Sequence, residues 1–393
     1  MRVVHVITRL IVGGAQENTV ATVFGLRAIA GVEVSLISGP TTGPEGTLEP
    51  RFAAAPGLLT VIPELVRPVH PWHDALAWRR LRQLFRDARP DIVHTHSGKA
   101  GVLGRLAARS ARVPVIIHTI HGPSFGDFQG ALANQVFLTA EKLAARSTTH
   151  FSVVANAMTE QYLRAGIGRR NQYTRIFSGF DLAPFLQADN SPALRARLGL
   201  ASDDFVLGKI ARLFRLKGHD DLFAIAPALV AAIPRLKFLF VGDGLWRPRF
   251  EEKARALGLE RHFVFTGLVP PEEVPALIGI MDTLVHLSRR EGLPRALPQA
   301  LAAAKPVVAY DCDGAREVCL ENETGFLLAP GDLATLRERI AQLAAAPALR
   351  ARLGQRGQAL VRDSFSVERM VAETHQLYQR LTTLRPLTGP YLH

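Results

Sequence analysis

The stretch MRVVHVITRLIVGGAQ, residues 1–16, decides the fold. An apolar run from Val3 to Ile7 leads into a glycine pair, Gly13 and Gly14, and a helical pattern begins near Ala15. Strand, loop and helix in that order open a parallel sheet covered by helices. A secretory leader would also begin with an apolar run. Here, however, Arg9 interrupts the run and the glycine pair stands where a small-residue cleavage site would be. Outward from this unit the pattern continues: Val32 to Ile37, Asp91 to His94, Val113 to Thr119 and Phe151 to Val154 read as strands. Trp72 to Ala88 and Leu103 to Ser110 read as helices between them.

The pattern then restarts. Phe205 to Ile210 is a strand, the basic loop ARLFRLKG (211–218) follows it, and Asp220 to Ala232 is a helix, so the two halves open alike. Leu236 to Val241, His262 to Phe265, Thr283 to Leu287 and Val307 to Tyr310 are further strands, and Arg295 to Ala304 is a further helix. Residues 179–192 hold Pro184, Asp189, Asn190 and Ser191 and read as a linker. The expected architecture is α/β, with two doubly wound parallel-sheet domains facing a cleft. Ligands in such sheets collect beyond the carboxyl ends of the strands.

Composition narrows the function. At 393 residues the chain is long enough for two domains, and 48% hydrophobic with 21% charged is a globular balance. Two cysteines, Cys312 and Cys319, rule out a disulfide framework and a cysteine-based zinc site. No apolar run reaches the roughly 18 residues of a membrane span, so the chain reads as cytoplasmic. The net charge of +12 asks for an anionic partner: a phosphate substrate, an acidic membrane surface or nucleic acid.

Several strand-end loops can carry chemistry. Gly13 and Gly14 form either a tight turn or an approach for an anion at a helix N-terminus. The dinucleotide fingerprint and the phosphate-binding P-loop are both absent. Arg212 and Lys217 are either a solvated basic loop or a clamp for a diphosphate. At about 4 Å each cation would contribute roughly 4 kcal/mol at an effective dielectric near 20, before desolvation. His94 and His96 share one face of a strand end, with Lys99 behind them, and His118 and His121 end another strand. A zinc site would want carboxylate or cysteine support, so ordinary hydrogen-bonded histidines are expected at His94 and His118, and no metal. His121, in the sequence His-Gly-Pro, is the ring best placed to face a ligand. Glu291 either caps the helix that follows or binds sugar hydroxyls beside backbone N–H groups of Gly292 and Leu293. Asp311, Asp313 and Glu317 read as a turn with first-turn charges, and Asp243 as a turn former.

GGAQE (13–17), HTIHG (118–122), RLFRLKG (212–218), VGDG (241–244) and EGLPRALPQALAAAKPVVA (291–309) stand in this order along nearly the whole chain. Together they resemble the retaining GT-B-fold glycosyltransferases of family 4, also called glycosyl transferases group 1. The resemblance implies an enzyme of hexosyltransferase type, acting in cell-envelope polysaccharide synthesis. Its co-substrate would be a UDP- or GDP-sugar and its acceptor a glycan or lipid-linked glycan, with no separate cofactor. It implies an acceptor-side domain over 1–183, a nucleotide-sugar domain over 184–365 and a C-terminal segment, 366–393, that crosses back. Gly13 and Gly14 would approach the donor, and His121 would contact the transferred sugar. Arg212 and Lys217 would neutralise the diphosphate. Glu291 would bind sugar hydroxyls, with the backbone of Gly292, Leu293 and Pro294 beside it. The family's second glutamate is here Gln299, whose amide offers one carbonyl acceptor and a donor in place of a carboxylate. An inverting transferase or an epimerase on the same fold is the alternative, with Asp127 or His121 as base. A basic nucleic-acid-binding protein is the rival of another class, but no finger or aromatic RNA-binding pattern supports it. The helix over Trp72 to Arg89, with Trp72, Trp78 and five arginines, suits a peripheral seat on the anionic inner face of a membrane, or simply solvent.

Overall fold

The strands of this chain are near-continuous Val/Ile/Leu/Phe runs, the pattern of strands buried on both faces. The computed structural model describes residues 1–42, 46–126 and 129–384. The chain divides into two compact units: Met1–Phe180 with the segment from Val367 onward, and Asp181–Ser366.

The first unit runs β1 (Arg2–Ile7), α1 (Gly14–Arg27), β2 (Glu33–Ser38), β3 (Leu59–Val61), α2 (Pro71–Ala88), β4 (Ile92–His96), α3 (Gly98–Ser110), β5 (Val115–Ile120), α4 (Ala131–Ala145), β6 (His150–Val153), α5 (Asn156–Arg164) and β7 (Tyr173–Arg175). Its sheet is parallel throughout, in the order β3-β2-β1-β4-β5-β6-β7. Val4, Val6, Val93 and Ile116 point to one face and pack on α2 and α3 through Leu81, Phe85, Ala100 and Ala107. Val3, Ile92, Val115 and Ile117 point to the other.

The second unit runs α6 (Ala183–Leu186), α7 (Pro192–Arg197), β8 (Phe205–Ile210), α8 (His219–Ala232), β9 (Leu236–Val241), α9 (Arg247–Ala256), β10 (Phe263–Gly267), α10 (Val274–Gly279), β11 (Thr283–His286), α11 (Ala296–Ala302), β12 (Val307–Tyr310), β13 (Gly325–Leu328), α12 (Leu333–Ala345) and α13 (Pro347–Ser364). Its sheet, β10-β9-β8-β11-β12-β13, is also parallel. Stacked Phe223, Phe250 and Phe263 fill one side of its core. The last helix, α14 (Val367–Leu384), belongs to the first unit, where Met370, Val371, Leu377 and Tyr378 cover the Val3–Ile117 face.

Three strands escape the sequence reading. β3 and β7 are three-residue edge strands with Thr and Arg among them, and β13 is short and begins with glycine, so none is a long apolar run. The expected linker holds α6 and the first residue of α7. The expected helix Arg295–Ala304 is shorter, Ala296–Ala302, and Ala304 turns left-handed at φ 53.

Strand order positions the site. In the first sheet the connections leave β1 in opposite directions, to β2 on one side and β4 on the other. In the second sheet β8 does the same between β9 and β11. Loops diverge at such a point and leave a crevice at the carboxyl ends of the strands. The loops after β1 and β4, and those after β8 and β11, therefore form the candidate site of each unit.

Candidate active site

In the second unit the loop after β8 meets the loop after β11. Gly218 caps α8 with φ +71, and a Cβ there would lie 2.2 Å from the Leu287 carbonyl oxygen, so only glycine lets the loops touch. Arg289 N donates to the Leu216 carbonyl at 2.9 Å and fixes the register of the two loops. This brings Lys217 Nζ to 2.5 Å from Glu291 Oε1. Ser288 Oγ donates to the same oxygen at 2.7 Å, and His286 Nε2 lies 3.4 Å from it. Glu291 Oε2 has no partner among the described residues. Burial alone would raise the Glu291 pKa, but the His286 ring and the Lys217 ammonium outweigh it and hold the carboxyl well below the usual range. Burial pushes the His286 pKa down, while the neighbouring Glu291 carboxylate pulls it the other way. The result is an ionised carboxylate, one oxygen held by protein and the other open to accept a hydrogen bond.

Behind this pair is a layer that the sequence reading missed. Lys209, on β8, is 1% exposed and its Nζ has no hydrogen-bond partner. Burial, then repulsion from Lys217, lowers its pKa to about 7, while Asp221 and Glu291 pull the other way. His219, the first residue of α8, is equally buried, and both its ring nitrogens lack partners. Burial, Lys209 and Lys217 lower its pKa to about 2. A lysine inside FVLGKI is itself the signal: a polar residue interrupts an apolar run.

The remaining expected residues of this unit fall as follows. Arg212 is exposed on the loop of Lys217, with no hydrogen bond or ion pair among the described residues. Gly292, Leu293 and Pro294 are buried beside Glu291. The Glu291 N–H donates to Asp313 Oδ2 at 2.7 Å, and Gly314 N donates to the Gly292 carbonyl at 2.9 Å. Asp313 is thus a clasp for the Glu291 loop. Pro294 has no N–H, so Gly292 and Leu293 supply the open backbone donors here. Gln299 is half-buried on α11, and its amide is unpartnered among the described residues. Asp243 forms its turn by accepting from Gly244 N at 2.7 Å and pairs with Arg247 at 3.2 Å. Arg289 is bound to Asp221 at 2.9 Å. Asp311 pairs with Arg316.

In the first unit Gly13 is the N-cap of α1 and Gly14 its first residue. Among the described residues no side chain caps the first N–H groups of this helix. At φ 178 the Gly13 backbone is extended and does not itself require glycine. His121 follows β5. Its Nε2 lies 3.0 Å from His96 Nδ1, and its Nδ1 has no partner among the described residues. Burial lowers its pKa to about 4, so the ring is neutral near pH 7. His94 bonds Tyr378 and Thr119, and His118 bonds Thr95. His5, His94 and His96 have ring nitrogens within 4.8 Å of one another. No carboxylate joins them, and every one of their ring nitrogens is already in a hydrogen bond, so the set is a poor match for a cation. Asp127, the other base considered, lies outside the described residues.

Two helices of this unit have distinctive surfaces. α2 buries Ala77, Leu81 and Phe85 and turns Arg79, Arg80 and Arg86 outward, with Trp72 67% exposed. α4 exposes Leu132, Val136, Phe137 and Leu143, an apolar face absent from the sequence reading. Its inner side holds Glu141, whose Oε1 takes a 2.8 Å bond from Arg105 Nη2, both groups being buried. No helix among the described residues is long and apolar enough to cross a membrane.

Comparison with known proteins bears on both units. Residues 190–360 match the model of glycosyl transferases group 1, and residues 13–176 match the glycosyl transferase 4-like domain. The chain is 32% identical to a Bacillus subtilis (strain 168) protein named as glycosyltransferase EpsD, over 81% of this chain and 83% of that one. It is 29% identical to the UDP-Gal:alpha-D-GlcNAc-diphosphoundecaprenol alpha-1,3-galactosyltransferase of Escherichia coli, over 69% and 71%. Among solved structures, HepE of Anabaena in complex with UDP superposes with a TM-score of 0.80 at 23% identity, covering 97% of this chain and 100% of that one.

Proposed function

This chain belongs to the group 1 glycosyltransferases and has their GT-B fold, and from that premise we propose that it moves a hexosyl group from a UDP-sugar to a lipid-linked glycan, with retention and without a metal. The observation that carries the reading is the Lys217–Glu291 contact at the switch point of the second sheet, with an open Oε2 beside the unspent N–H groups of Gly292 and Leu293. Breaking the sugar–phosphate bond puts negative charge on the departing diphosphate and positive charge on the sugar. Arg212, Lys217 and the N-terminus of α8 stabilise the first, since fixed cations in a partly desolvated site need no reorganisation as charge develops. The ionised Glu291 accepts from sugar hydroxyls and favours the second. Lys217 is held by Glu291 until the diphosphate competes for it, so donor binding and release of the carboxylate are coupled.

Among the described residues of the first unit, the state of the buried carboxylate bears on how a retaining transfer would proceed. Glu141, that carboxylate, is bound to Arg105 and is not free to act as a nucleophile. A front-face transfer in which the leaving phosphate takes the acceptor's proton fits these residues better than a double displacement. The choice of a UDP-sugar and a lipid-linked acceptor follows the Escherichia coli relative, whose name specifies both. The apolar face of α4 and the basic face of α2 suit such an acceptor, and a peripheral position at the cytoplasmic face of the membrane is part of the proposal.

The test is a binding and turnover screen of UDP-, GDP- and ADP-sugars with polyprenyl-diphosphate-linked acceptors, the product's anomeric configuration being read by NMR. Turnover of a UDP-sugar to a retained product is expected. An inverted product ends the retaining mechanism, and tight, salt-sensitive RNA or DNA binding with no sugar turnover ends the transferase reading.

A further inference from the structure

The rings around His121 form one continuous hydrogen-bonded chain. His121 Nε2 meets His96 Nδ1 at 3.0 Å, and His96 Nε2 meets His5 Nδ1 at 2.9 Å. His5 Nε2 meets the Tyr378 hydroxyl at 3.2 Å, which meets His94 Nδ1 at 2.5 Å. His94 Nε2 ends the chain on Thr119 Oγ1 at 2.6 Å. Sheet register builds it: His5 is paired with His94 across β1 and β4, and His96 with Thr119 across β4 and β5. Side chains two residues apart on a strand share a face, so the rings stack, with His94 and His96 centroids 4.4 Å apart. Tyr378 enters from α14 and bridges two rings that do not bond each other directly.

Burial pushes the pKa of every one of these histidines down, so each ring carries a single proton. A neutral imidazole donates from one nitrogen and accepts at the other. Tyr378 has one proton to give. It follows that all the bonds in the chain must run the same way, and that no member can reverse without reversing the rest. The two tyrosine distances choose the direction. Reversal would need an N–H donor at 2.5 Å and an O–H donor at 3.2 Å, whereas the forward sense needs a single short N–H bond, from His94 to Thr119 at 2.6 Å. The phenol is the most acidic hydroxyl present, and O–H donors make shorter bonds than neutral N–H donors. The 2.5 Å contact is therefore Tyr378 O–H donating to His94 Nδ1, and the 3.2 Å contact is His5 Nε2–H donating to the phenol oxygen. His94 then gives its Nε2–H to Thr119. His96 gives its Nε2–H to His5, and His121 gives its Nε2–H to His96.

We propose that this buried relay fixes His121 as the Nε2–H tautomer, so that its open Nδ1 is a bare acceptor for a hydroxyl of the bound sugar. The role toward sugar rests on the transferase reading above; the tautomer does not. His5, His96, His94 and Tyr378 are positioning residues. They act through His121 and supply its preorganisation. Four neutral rings at this face also explain a stretch of strand otherwise hard to account for, in which VVHVI and IVHTH place imidazoles where apolar side chains would pack.

The experiment is 15N NMR of the histidine rings in the full chain, with Tyr378→Phe, Thr119→Val and Thr95→Val. Each of the first two leaves one relay N–H, of His5 or of His94, without an acceptor. An orphaned N–H is costly, and reversal of the chain relieves it. His121 is expected as the Nε2–H tautomer in the native chain and shifted toward Nδ1–H in both variants. Thr95→Val removes a hydroxyl that bonds His118 outside the relay, and should leave His121 unmoved. The two variants alter different elements, so if one fails to fold the other still reads the coupling. Where turnover is present, kcat should fall by the same factor as the Nε2–H population. A native His121 that is Nδ1–H or mixed, or variants that leave its nitrogens unmoved, overturn the relay. So does a stoichiometric metal lost on His5→Gln. Normal nitrogen shifts with no turnover of any nucleotide sugar uphold the relay and count against the transferase reading instead.

Discussion

The two switch points answer the same topological problem with opposite chemistry. In the second unit the loops after β8 and β11 hold an ionised pair, Lys217 with Glu291, and keep an unpartnered lysine beneath it. In the first unit the strands β1, β4 and β5 hold a chain of uncharged rings, each nitrogen bonded save Nδ1 of His121. Charge suits a place where a phosphate leaves, because attraction must grow as the bond breaks. Neutral rings suit a place where a sugar must be oriented without attracting or trapping an anion.

The sharpest way to break this comparison is to remove the charges. Lys217→Ala and Glu291→Ala should each lower transfer by about 10²–10³-fold while leaving the unfolding midpoint near native, checked by steady-state turnover and urea titration. Near-native turnover in both would place the chemistry elsewhere. The charge beneath is probed by pH. The Lys209 pKa is lowered to about 7 in the folded chain against an unfolded value near 10.5, so the unfolded state holds more protons between those values. Stability from this group therefore rises with pH from about 7 toward about 10.5, and its penalty is complete below pH 7. Lys209→Met should raise stability at pH 6, and the gain should have shrunk by pH 9. A gain independent of pH would show that the amine has the same pKa folded and unfolded, so that burial has not lowered it. Gly218→Ala should cost about 1–3 kcal/mol in chemical denaturation, because the left-handed backbone and the Leu287 carbonyl both oppose a Cβ. The smallest effect is expected at Gln299. A carboxylate in its place adds an acceptor, and Gln299→Glu should tighten UDP binding by about tenfold in calorimetry, equivalent to about 1.4 kcal/mol. Unchanged affinity would remove Gln299 from the nucleotide site.

Most of the strand–helix alternation could be read from the chain, because buried parallel strands are apolar runs and their helices are amphipathic. The edge strands β3, β7 and β13 could not, since pairing with a neighbour, and not composition, makes them strands. Lys217 and Glu291 were visible as charges after strands. That they touch was not, for it depends on a left-handed Gly218 meeting a carbonyl 69 positions later at Leu287. Asp313 read as part of a local turn, because nothing in the sequence reveals that its carboxylate reaches back to the Glu291 N–H. His94 and His96 were seen to share a face. Their link to His121 through neighbouring strands, and to Tyr378 from the end of the chain, is set by register and by α14, which periodicity along one segment cannot supply.

That last helix has a consequence for how the protein is made. A ribosome that has released the first 366 residues has delivered β1, β4 and β5 complete, yet Tyr378 and the apolar cover of the Val3–Ile117 face have still to emerge. Domains commonly fold as units in the order of their synthesis. Here the leading unit must wait, partly uncovered, until the trailing one has been translated, and a chain cut short before α14 would be injured in the half encoded first.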